Sequence, residues 1–229
     1  MTGRRPCVAI DGPVAAGKST IARLVAQKLG YTYIDSGAMY RALAWAAERE
    51  SIPAGDAAEA CALLARTNLR LIPQPDGGNR VEVNGRDVTA DIRTQQIGQL
   101  ASRLSEIPAV RERMVARQQE MARGGGVVME GRDIQTVVLP DAEVKIFLTA
   151  SAQARARRRW LELEERGAPA DLAQILAEIE ERDERDSNRA HSPLRAAADA
   201  VKVDTSELSI EGVVAAVLEV VRERLADSG

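Results

Sequence analysis

Residues 12–20 combine glycines, a lysine and hydroxyl side chains in a spacing that can bind the phosphates of a nucleotide. The first eight of them have the form G-x-x-x-x-G-K-[ST]. Glycine lets backbone N–H groups turn toward an anion, Lys18 adds a positive charge, and the Ser19 hydroxyl is a suitable ligand for Mg²⁺. We therefore predict that a nucleoside triphosphate contacts the whole segment, which consists of Gly12, Pro13, Val14, Ala15, Ala16, Gly17, Lys18, Ser19 and Thr20.

The residues on either side of this segment support the prediction. Residues 7–10 form a short apolar run that is typical of a buried parallel strand. After the loop, Ile21, Val25 and Leu29 recur at helical spacing, so the loop leads into a helix whose N-terminus faces the phosphates. The alternative, a glycine turn with a chance lysine, does not account for this order of strand, loop and helix.

Three arginines in later motifs indicate a second anion site. Arg41 follows a predicted strand at 31–34, Arg132 follows another at 127–130, and Arg189 follows a highly charged run. Forked guanidinium groups such as these can bind a second phosphate through paired hydrogen bonds. Taken alone, Arg41 could equally be a solvated residue on a helix surface.

The order of strands and helices predicts an α/β fold of three layers, with a doubly wound, parallel, five-stranded sheet. Ligands bind such a sheet beyond the carboxyl ends of its strands, where the candidate residues gather. We also expect Ser36 to cap the helix after the second strand. The predicted strands are residues 7–10, 31–34, 127–130, 144–148 and 200–203.

The hydrophobic pattern of residues 69–90 differs from that of the predicted parallel strands and indicates an inserted antiparallel meander. Alternating runs at 69–72 and 80–83 are joined by a glycine-rich turn, which is foreign to a parallel sheet. Helical stretches follow at 94–104 and 110–123, separated by Pro108, and a final amphipathic helix at about 210–225 is expected to pack on the sheet.

Composition restricts the classes of partner. Of the 229 residues, 45% are hydrophobic and 28% are charged, and the net charge is −3. This charge does not favour nucleic acid, and no apolar run approaches the roughly 20 residues that cross a bilayer. The arginines at 155–159 do not indicate a basic nucleic-acid surface, because residues 151–189 hold eight arginines against ten Asp and Glu.

The cysteines and the N-terminus favour a cytoplasmic protein. Cys7 and Cys61 lie in apolar stretches and fit small core residues better than a disulfide or a metal site. The apolar run after Arg4 and Arg5 is too short for a secretory signal. We expect small-molecule partners, no nucleic acid or membrane partner, and a monomer.

Taken together and in this order, the motifs resemble those of the bacterial cytidylate kinases, a branch of the nucleoside monophosphate kinases with the P-loop NTPase fold. The resemblance runs almost from end to end. It rests on Asp35-Ser36-Gly37-Ala38-Met39-Tyr40-Arg41, Ile92-Arg93-Thr94, Gly131-Arg132-Asp133-Ile134, Thr136-Val137-Val138, Pro140-Asp141-Ala142, Glu181-Arg182-Asp183, Pro193-Leu194 and Ala198-Asp199-Ala200.

The resemblance implies transfer of the γ-phosphoryl group of ATP to CMP or dCMP, with Mg²⁺. It assigns the acceptor phosphate to Arg41, Arg132 and Arg189, and the cytosine to Arg111 and Asp133. Arg182 and Asp186 would contact the pentose, with Ser102 supporting Asp186. The implied acceptor site also includes Ser36 and Tyr40, and the implied catalytic residues are Lys18, Arg132, Arg158 and Arg159.

The resemblance also divides the chain into three parts. The P-loop core comprises residues 1–37, 124–150 and 170–229, and the acceptor-binding lobe comprises residues 38–123, with the antiparallel insert at about 69–90. Residues 151–169 form a lid that brings Arg155, Arg158 and Arg159 over the donor phosphates. Glu162, Glu164 and Glu165 are alternative partners that would limit some of these arginines to stabilising the helix.

Two questions stay open at this stage. Besides Ser19, either Glu130 or Asp35 could support the metal, and the sequence does not choose between them.

The acceptor could also be UMP or a small alcohol, or the chain could be a nucleotide-binding switch. An alcohol acceptor would favour a carboxylate base and fewer arginines, and a switch would not require a second anion site. Phosphate-to-phosphate transfer needs no general base, so the single histidine, His191, is interpreted as structural.

Overall fold

The computed structural model describes residues 5–165 and 167–226 of the chain. Residues 1–4 and 227–229 of the predicted core and residue 166 of the predicted lid lie outside these ranges. No helix within the described ranges combines the length and apolar composition needed to cross a membrane. The strands and helices, in chain order, are β1 (Arg5–Asp11), α1 (Lys18–Leu29), β2 (Thr32–Asp35), α2 (Ser36–Arg49), α3 (Ala57–Arg66), β3 (Leu69–Pro73), β4 (Asn79–Val83), β5 (Arg86–Asp87), α4 (Gln95–Leu104), α5 (Pro108–Ala122), β6 (Gly125–Gly131), β7 (Val144–Thr149), α6 (Ala152–Glu165), α7 (Leu172–Asn188), β8 (Val201–Asp204) and α8 (Ile210–Ala226).

The predicted α/β fold is confirmed. Five strands form a parallel sheet in the order β2-β6-β1-β7-β8. The central strand β1 reads as a continuous apolar run because helices cover both faces of the sheet, and Val8, Ala9 and Ile10 are fully buried. Its carboxyl end delivers the chain directly into the phosphate loop.

Alternate residues of β1 belong to different layers, as the pleat of a strand requires. Val8 and Ile10 pack in one cluster with Val25 of α1 and Val217 of α8. Cys7 and Ala9 belong to a second cluster, which includes Ala122 of α5. The result is the three-layer arrangement that the strand pattern predicts.

The inserted meander is also present. β3, β4 and β5 form an antiparallel sheet that is separate from the parallel one. The helices around it share a further apolar cluster, which includes Leu43 of α2, Leu63 of α3, Leu104 of α4 and Met114 of α5.

The tip of the β3–β4 hairpin is attached to the edge of the parallel sheet. The Asn79 side chain donates a hydrogen bond to the Tyr33 carbonyl oxygen (3.1 Å) and accepts one from the Asp35 N–H (3.3 Å). One amide thereby satisfies two backbone groups that a further strand would otherwise pair. The hairpin and the end of β2 are fixed relative to each other.

Two predictions about helix starts are wrong. Asp35, not Ser36, caps α2, because its Oδ1 accepts the Ala38 N–H at 2.7 Å. The Ser36 hydroxyl instead donates to the Glu130 carbonyl oxygen across the sheet (2.7 Å). Pro108 does not separate α4 from α5 but begins α5, where its missing N–H costs nothing.

Candidate active site

The phosphate loop is shaped by close backbone contacts. Gly12 lies against β7, and a Cβ atom there would collide with the Leu148 carbonyl oxygen. Gly17 has a φ of 84° and precedes α1 without a side-chain cap. Left-handed backbone of this kind favours glycine, and it leaves the first N–H groups of α1 available to an anion.

Lys18 is a buried cation held at the rim of the loop. Its side chain is almost inaccessible, and its Nζ donates to the Pro13 carbonyl oxygen at 2.6 Å. Burial, reinforced by the positive charge of Arg132, lowers the pKa of Lys18 to about 7. Glu130 and Asp11 oppose this shift without cancelling it, so the buried amine is a suitable partner for an incoming phosphate.

The lowered pKa of Lys18 predicts that ATP binding takes up a proton. A lysine with a pKa of about 7 is mostly neutral near pH 8, and bound phosphates raise that pKa and restore the charge. Calorimetric titration with ATP in two buffers of different ionisation enthalpy should show uptake approaching about one proton near pH 8, and less near pH 6. Lys18→Met should abolish most of it. Undiminished uptake by that variant would assign the proton to another group.

Two buried carboxylates lie beside the loop. Glu130 Oε1 accepts hydrogen bonds from the Ser19 hydroxyl (2.5 Å) and the Tyr33 hydroxyl (3.2 Å). Burial, together with the neighbouring charge of Asp35, raises the pKa of Glu130. Glu130 is therefore the carboxylate in direct contact with Ser19.

Asp35 is engaged by cations instead. Its Oδ2 lies 2.8 Å from Arg41 Nη2 and 3.7 Å from Arg93 Nη2. Burial alone would raise the pKa of Asp35, but Arg41 and Arg93 outweigh it and hold that pKa below its ordinary value. Asp35 therefore orients Arg41 and caps α2 at the same time.

A single cavity of about 460 Å³ joins the phosphate loop to the second group of predicted residues. Its lining includes Lys18, Ser19, Thr20, Asp35 and Glu130 from the donor side. All ten residues predicted to bind the acceptor also line it, namely Ser36, Tyr40, Arg41, Ser102, Arg111, Arg132, Asp133, Arg182, Asp186 and Arg189.

The arginines of this cavity carry donors with no hydrogen-bond partner in the protein. Nε of Arg41, Nε of Arg182, and both Nε and Nη2 of Arg189 are buried and unsatisfied. Burial, with the positive charge of Arg132 second, lowers the pKa of Arg182 to about 10. Buried guanidinium donors without partners are costly, and an anion in the cavity would satisfy them.

Arg132 and Asp186 form a pair within the same cavity. Arg132 Nε donates to Asp186 Oδ2 at 2.9 Å. The arginine holds the pKa of the Asp186 carboxyl below its ordinary range, although burial alone would raise it. Ser102, which was predicted to support Asp186, lies on the wall of the cavity. The observed hydrogen bond to the Asp186 carboxylate comes from Arg132, and the role of Ser102 stays a prediction.

Arg111 and Asp133 contact each other at the far end of the cavity. Arg111 Nη2 donates to Asp133 Oδ2, and both side chains are buried. Arg111 also donates to the Ser105 carbonyl oxygen (3.1 Å) and lies 6.0 Å above the centre of the Tyr40 ring. One anionic and one cationic group are thus presented side by side next to an aromatic face.

Comparison with known proteins agrees with this arrangement. A family model described as cytidylate kinase matches residues 8–223. The chain belongs to the cytidylate kinase family. It is 52% identical over 222 residues to a cytidylate kinase of Geobacillus thermodenitrificans (strain NG80-2), covering 97% of this chain and 99% of that relative.

Two further matches concern a longer relative and a solved structure. The chain is 48% identical to a bifunctional pantoate ligase/cytidylate kinase of Synechococcus elongatus, and it covers 44% of that longer protein. The solved structure of an uncharacterized protein from Eubacterium ventriosum aligns over 96% of this chain and 99% of its own, with a TM-score of 0.51 and 12% identity. That second likeness concerns the fold alone.

The arginines of α6 are bound within the protein in this conformation. Arg155 is buried and donates to the carbonyl oxygens of Ala150 (3.0 Å) and Val14 (3.1 Å) and to Asp183 Oδ2 (2.5 Å). Arg158 donates to the Thr205 hydroxyl (3.0 Å) and to the Thr205 carbonyl oxygen. Arg159 forms an ion pair with Glu162 at 2.6 Å, the helix-stabilising contact considered as its alternative. Their contact with donor phosphates stays a prediction for this member of the family.

Three buried residues that support segments of the site carry no motif that predicted them. Asp11 accepts hydrogen bonds from the two backbone N–H groups that follow Asp133. Gln135 hydrogen-bonds to the backbone of Ile146 and Ala197, and the Thr205 hydroxyl accepts a hydrogen bond from Arg158. Burial raises the pKa of Asp11 to about 7, although the backbone N–H groups of Gln135 and Ile134 oppose that shift. A signal for Asp11 was present, because a carboxylate that ends an apolar central strand must find buried donors.

Proposed function

We propose that the chain is an ATP-dependent kinase that transfers the γ-phosphoryl group of ATP to CMP or dCMP, giving CDP or dCDP and ADP. The observation that carries the proposal is the pair of anion sites in one cavity. Residues of the phosphate loop and the arginines with unsatisfied donors, Arg41, Arg182 and Arg189, line this cavity together. Membership of the cytidylate kinase family supports the same conclusion.

The chemistry requires alignment and charge neutralisation rather than a general base. The acceptor is a phosphate oxygen that is already largely ionised near neutral pH, because its second pKa is about 6. The transferring group develops charge that Lys18, which is buried, and Arg132, which lines the same cavity, would neutralise. Excluding water from the cavity strengthens these contacts.

Mg²⁺ is the expected metal, and the available oxygens fit it. Mg²⁺ keeps several waters and takes only one or two protein ligands in addition to substrate phosphates. The described residues include no group of three or more His, Cys, Asp or Glu arranged as a metal site, which agrees with this mode of binding. We propose that Ser19 and the adjacent Glu130 would hold the ion, where it would neutralise charge on the phosphates. Asp35 is the weaker candidate, because Arg41 and the Ala38 N–H already occupy its oxygens.

The division into core, acceptor lobe and lid is part of the proposal. Residues 38–123 have their own apolar cluster, which supports a lobe that binds the acceptor as a unit. The segment 151–169 shares a smaller cluster with α7, against which Trp160 of the segment and Val14 and Ala15 of the phosphate loop all pack. That shared cluster supports a lid that responds to the nucleotide in the loop.

An assay of ADP release against CMP, dCMP, UMP, AMP and GMP tests the proposed function. We expect rapid turnover with CMP and dCMP and little with the others. Preference for UMP, or for a small alcohol, would support the kinase activity and change the proposed acceptor. ATP binding without transfer to any acceptor would support the nucleotide-binding switch, for which the second anion site has no purpose.

The lid contributes a separate prediction. If Arg158 leaves Thr205 for the phosphates only during transfer, Arg158→Ala should lower kcat by about 10- to 100-fold with little effect on CMP binding. Arg157→Ala is the matched control, because Arg157 is exposed on the same helix. Steady-state kinetics and CMP titration give both quantities. A loss of CMP affinity at constant kcat would place Arg158 in the acceptor site instead.

A further inference from the structure

The segment that follows Arg132 and Asp133 is anchored from beneath by a buried carboxylate. Asp11 is the last residue of β1 and is inaccessible to solvent. Its Oδ1 accepts the Ile134 N–H at 3.0 Å, and its Oδ2 accepts the Gln135 N–H at 2.8 Å. Both bonds therefore hold the backbone directly after the two acceptor-site side chains.

These hydrogen bonds replace the cap that Asp133 would otherwise provide. Residues Ile134–Val138 form a short π-helical turn, and Asp133 occupies its N-cap position without making a side-chain cap. An aspartate at that position usually accepts the N–H group of the second or third residue of its own helix. Asp11, on the neighbouring strand, accepts the first two, including the Gln135 N–H that such a cap could use. The Asp133 carboxylate contacts Arg111 and lines the cavity instead.

Gln135 supplies a second anchor for the same turn. Its Nε2 donates to the Ile146 carbonyl oxygen on β7 at 2.6 Å, and its Oε1 accepts the Ala197 N–H at 3.2 Å. The side chain is almost completely buried. The turn is thus attached to two strands of the parallel sheet, through Asp11 to β1 and through Gln135 to β7.

The phosphate loop is held by different contacts. Arg155 donates to the Val14 carbonyl oxygen, and the Thr205 hydroxyl lies 3.4 Å from the Ala16 carbonyl oxygen. Both hydrogen bonds of the Asp11 carboxylate go to the acceptor side. Loss of that carboxylate should therefore disturb acceptor binding more than ATP binding.

We propose that Asp11, assisted by Gln135, is a positioning residue of the acceptor site, which fixes the backbone that carries Arg132 and Asp133. It acts through those two residues and does not touch the substrate. The inference rests on the proposed function, because the acceptor is taken to be CMP.

The test compares Asp11→Asn with Glu143→Gln. The amide introduced by Asp11→Asn would keep one acceptor but turn an N–H₂ group toward the other backbone N–H. Displacement of the turn by a fraction of an ångström should raise KM for CMP by about tenfold or more and erode the preference for CMP over UMP. The Kd for ATP should stay within about twofold. Glu143→Gln is the control, because Glu143 accepts the Cys7 N–H (2.8 Å) at the opposite end of β1.

Kinetics, ATP titration and urea unfolding separate positioning from stability. Both variants are expected to lose stability, and only Asp11→Asn should change KM for CMP. An unchanged KM for CMP in folded Asp11→Asn, or equal weakening of CMP and ATP, would overturn the inference. If Asp11→Asn does not fold, Gln135→Met takes its place. A Gln135→Met variant that leaves KM for CMP unchanged, or weakens CMP and ATP equally, would also overturn the inference.

Failure of the proposed function is recognised separately. If the unmodified protein does not phosphorylate CMP, the proposed function fails, and the acceptor found in the assay panel replaces CMP in the comparison. Amide hydrogen exchange at Ile134 and Gln135, measured without substrate, then gives a readout that does not depend on the acceptor. Slow exchange in the unmodified protein that accelerates in Asp11→Asn or Gln135→Met supports the anchor, and fast exchange in the unmodified protein overturns it.

Discussion

Lys18→Ala is expected to lower kcat by at least about 100-fold while the protein stays folded, because a preorganised charge next to a transferring phosphoryl group contributes on that scale. Lys18 is buried beside the loop, and its neighbours Arg132 and Arg182 are cations that oppose its charge. The free protein therefore disfavours the charge of Lys18, and the phosphates of a bound ligand would restore it.

The free energy of unfolding of the same variant should not fall with its activity. Burial lowers the pKa of Lys18 from 10.5 in the unfolded chain to about 7, so the unfolded state binds more protons between these values. The contribution of Lys18 to the free energy of unfolding is therefore least favourable below about pH 7 and improves toward pH 10. Removing the lysine should leave the stability near pH 7 unchanged or slightly higher.

Steady-state kinetics and urea unfolding of Lys18→Ala measure both effects. Lys28→Ala is the matched control, since Lys28 is exposed in the last turn of the same helix. It should change neither kcat nor stability appreciably. Near-normal turnover by folded Lys18→Ala would mean that the phosphate loop is not the catalytic centre.

The proposed base contacts predict a kcat/KM preference for CMP over UMP of at least roughly 100-fold, the scale expected when a hydrogen-bonding site meets the wrong edge. Cytosine presents an amino donor at N4 beside acceptors at N3 and O2, whereas uracil presents a carbonyl oxygen and an N–H. Asp133 can accept from the amino group, and Arg111 can donate to the ring acceptors. Both residues are buried, so each mismatch with uracil leaves a desolvated group unpaired, at about 1–3 kcal/mol or more.

Asp133→Asn should erode this preference, because an amide can rotate to donate to the uracil carbonyl. The comparison requires kcat/KM for CMP and UMP on both proteins. Asp141→Asn is a suitable control, because Asp141 is exposed shortly after the same turn. Equal use of CMP and UMP by the unmodified protein would refute the assignment of the acceptor and leave the kinase standing.

Local patterns in the sequence were sufficient for the fold and for the membership of the cavity. The glycines and Lys18 of the phosphate loop act through neighbouring backbone, so a short motif contains the information. Burial on both faces leaves Cys7, Val8, Ala9 and Ile10 of β1 apolar, which predicts a central parallel strand. The family resemblance implied the ten acceptor residues, and all of them line one cavity. Arg132 and Asp133 lie there because the carboxyl ends of parallel strands meet at one edge, whereas helices α2, α4, α5 and α7 bring in most of the others.

The choice of partners within the cavity depended on the tertiary structure. Asp35 and Ser36 are both good caps, and nothing local distinguishes them. Pairing of β2 with β6 places the Ser36 hydroxyl on the Glu130 carbonyl oxygen and leaves the cap to Asp35. The same pairing brings Glu130, rather than Asp35, onto Ser19.

The contacts of Asp11 below the acceptor site show most clearly what could not be predicted from the sequence. Asp11 is separated by 123 and 124 residues from the two N–H groups that it accepts. Hydrogen bonds form between atoms about 3 Å apart, and only the register of adjacent strands determines which distant groups meet at that distance. The sequence thus determined which residue types perform the chemistry, whereas the packing of the sheet decided which carboxylate contacts Ser19 and which one holds the turn after Asp133.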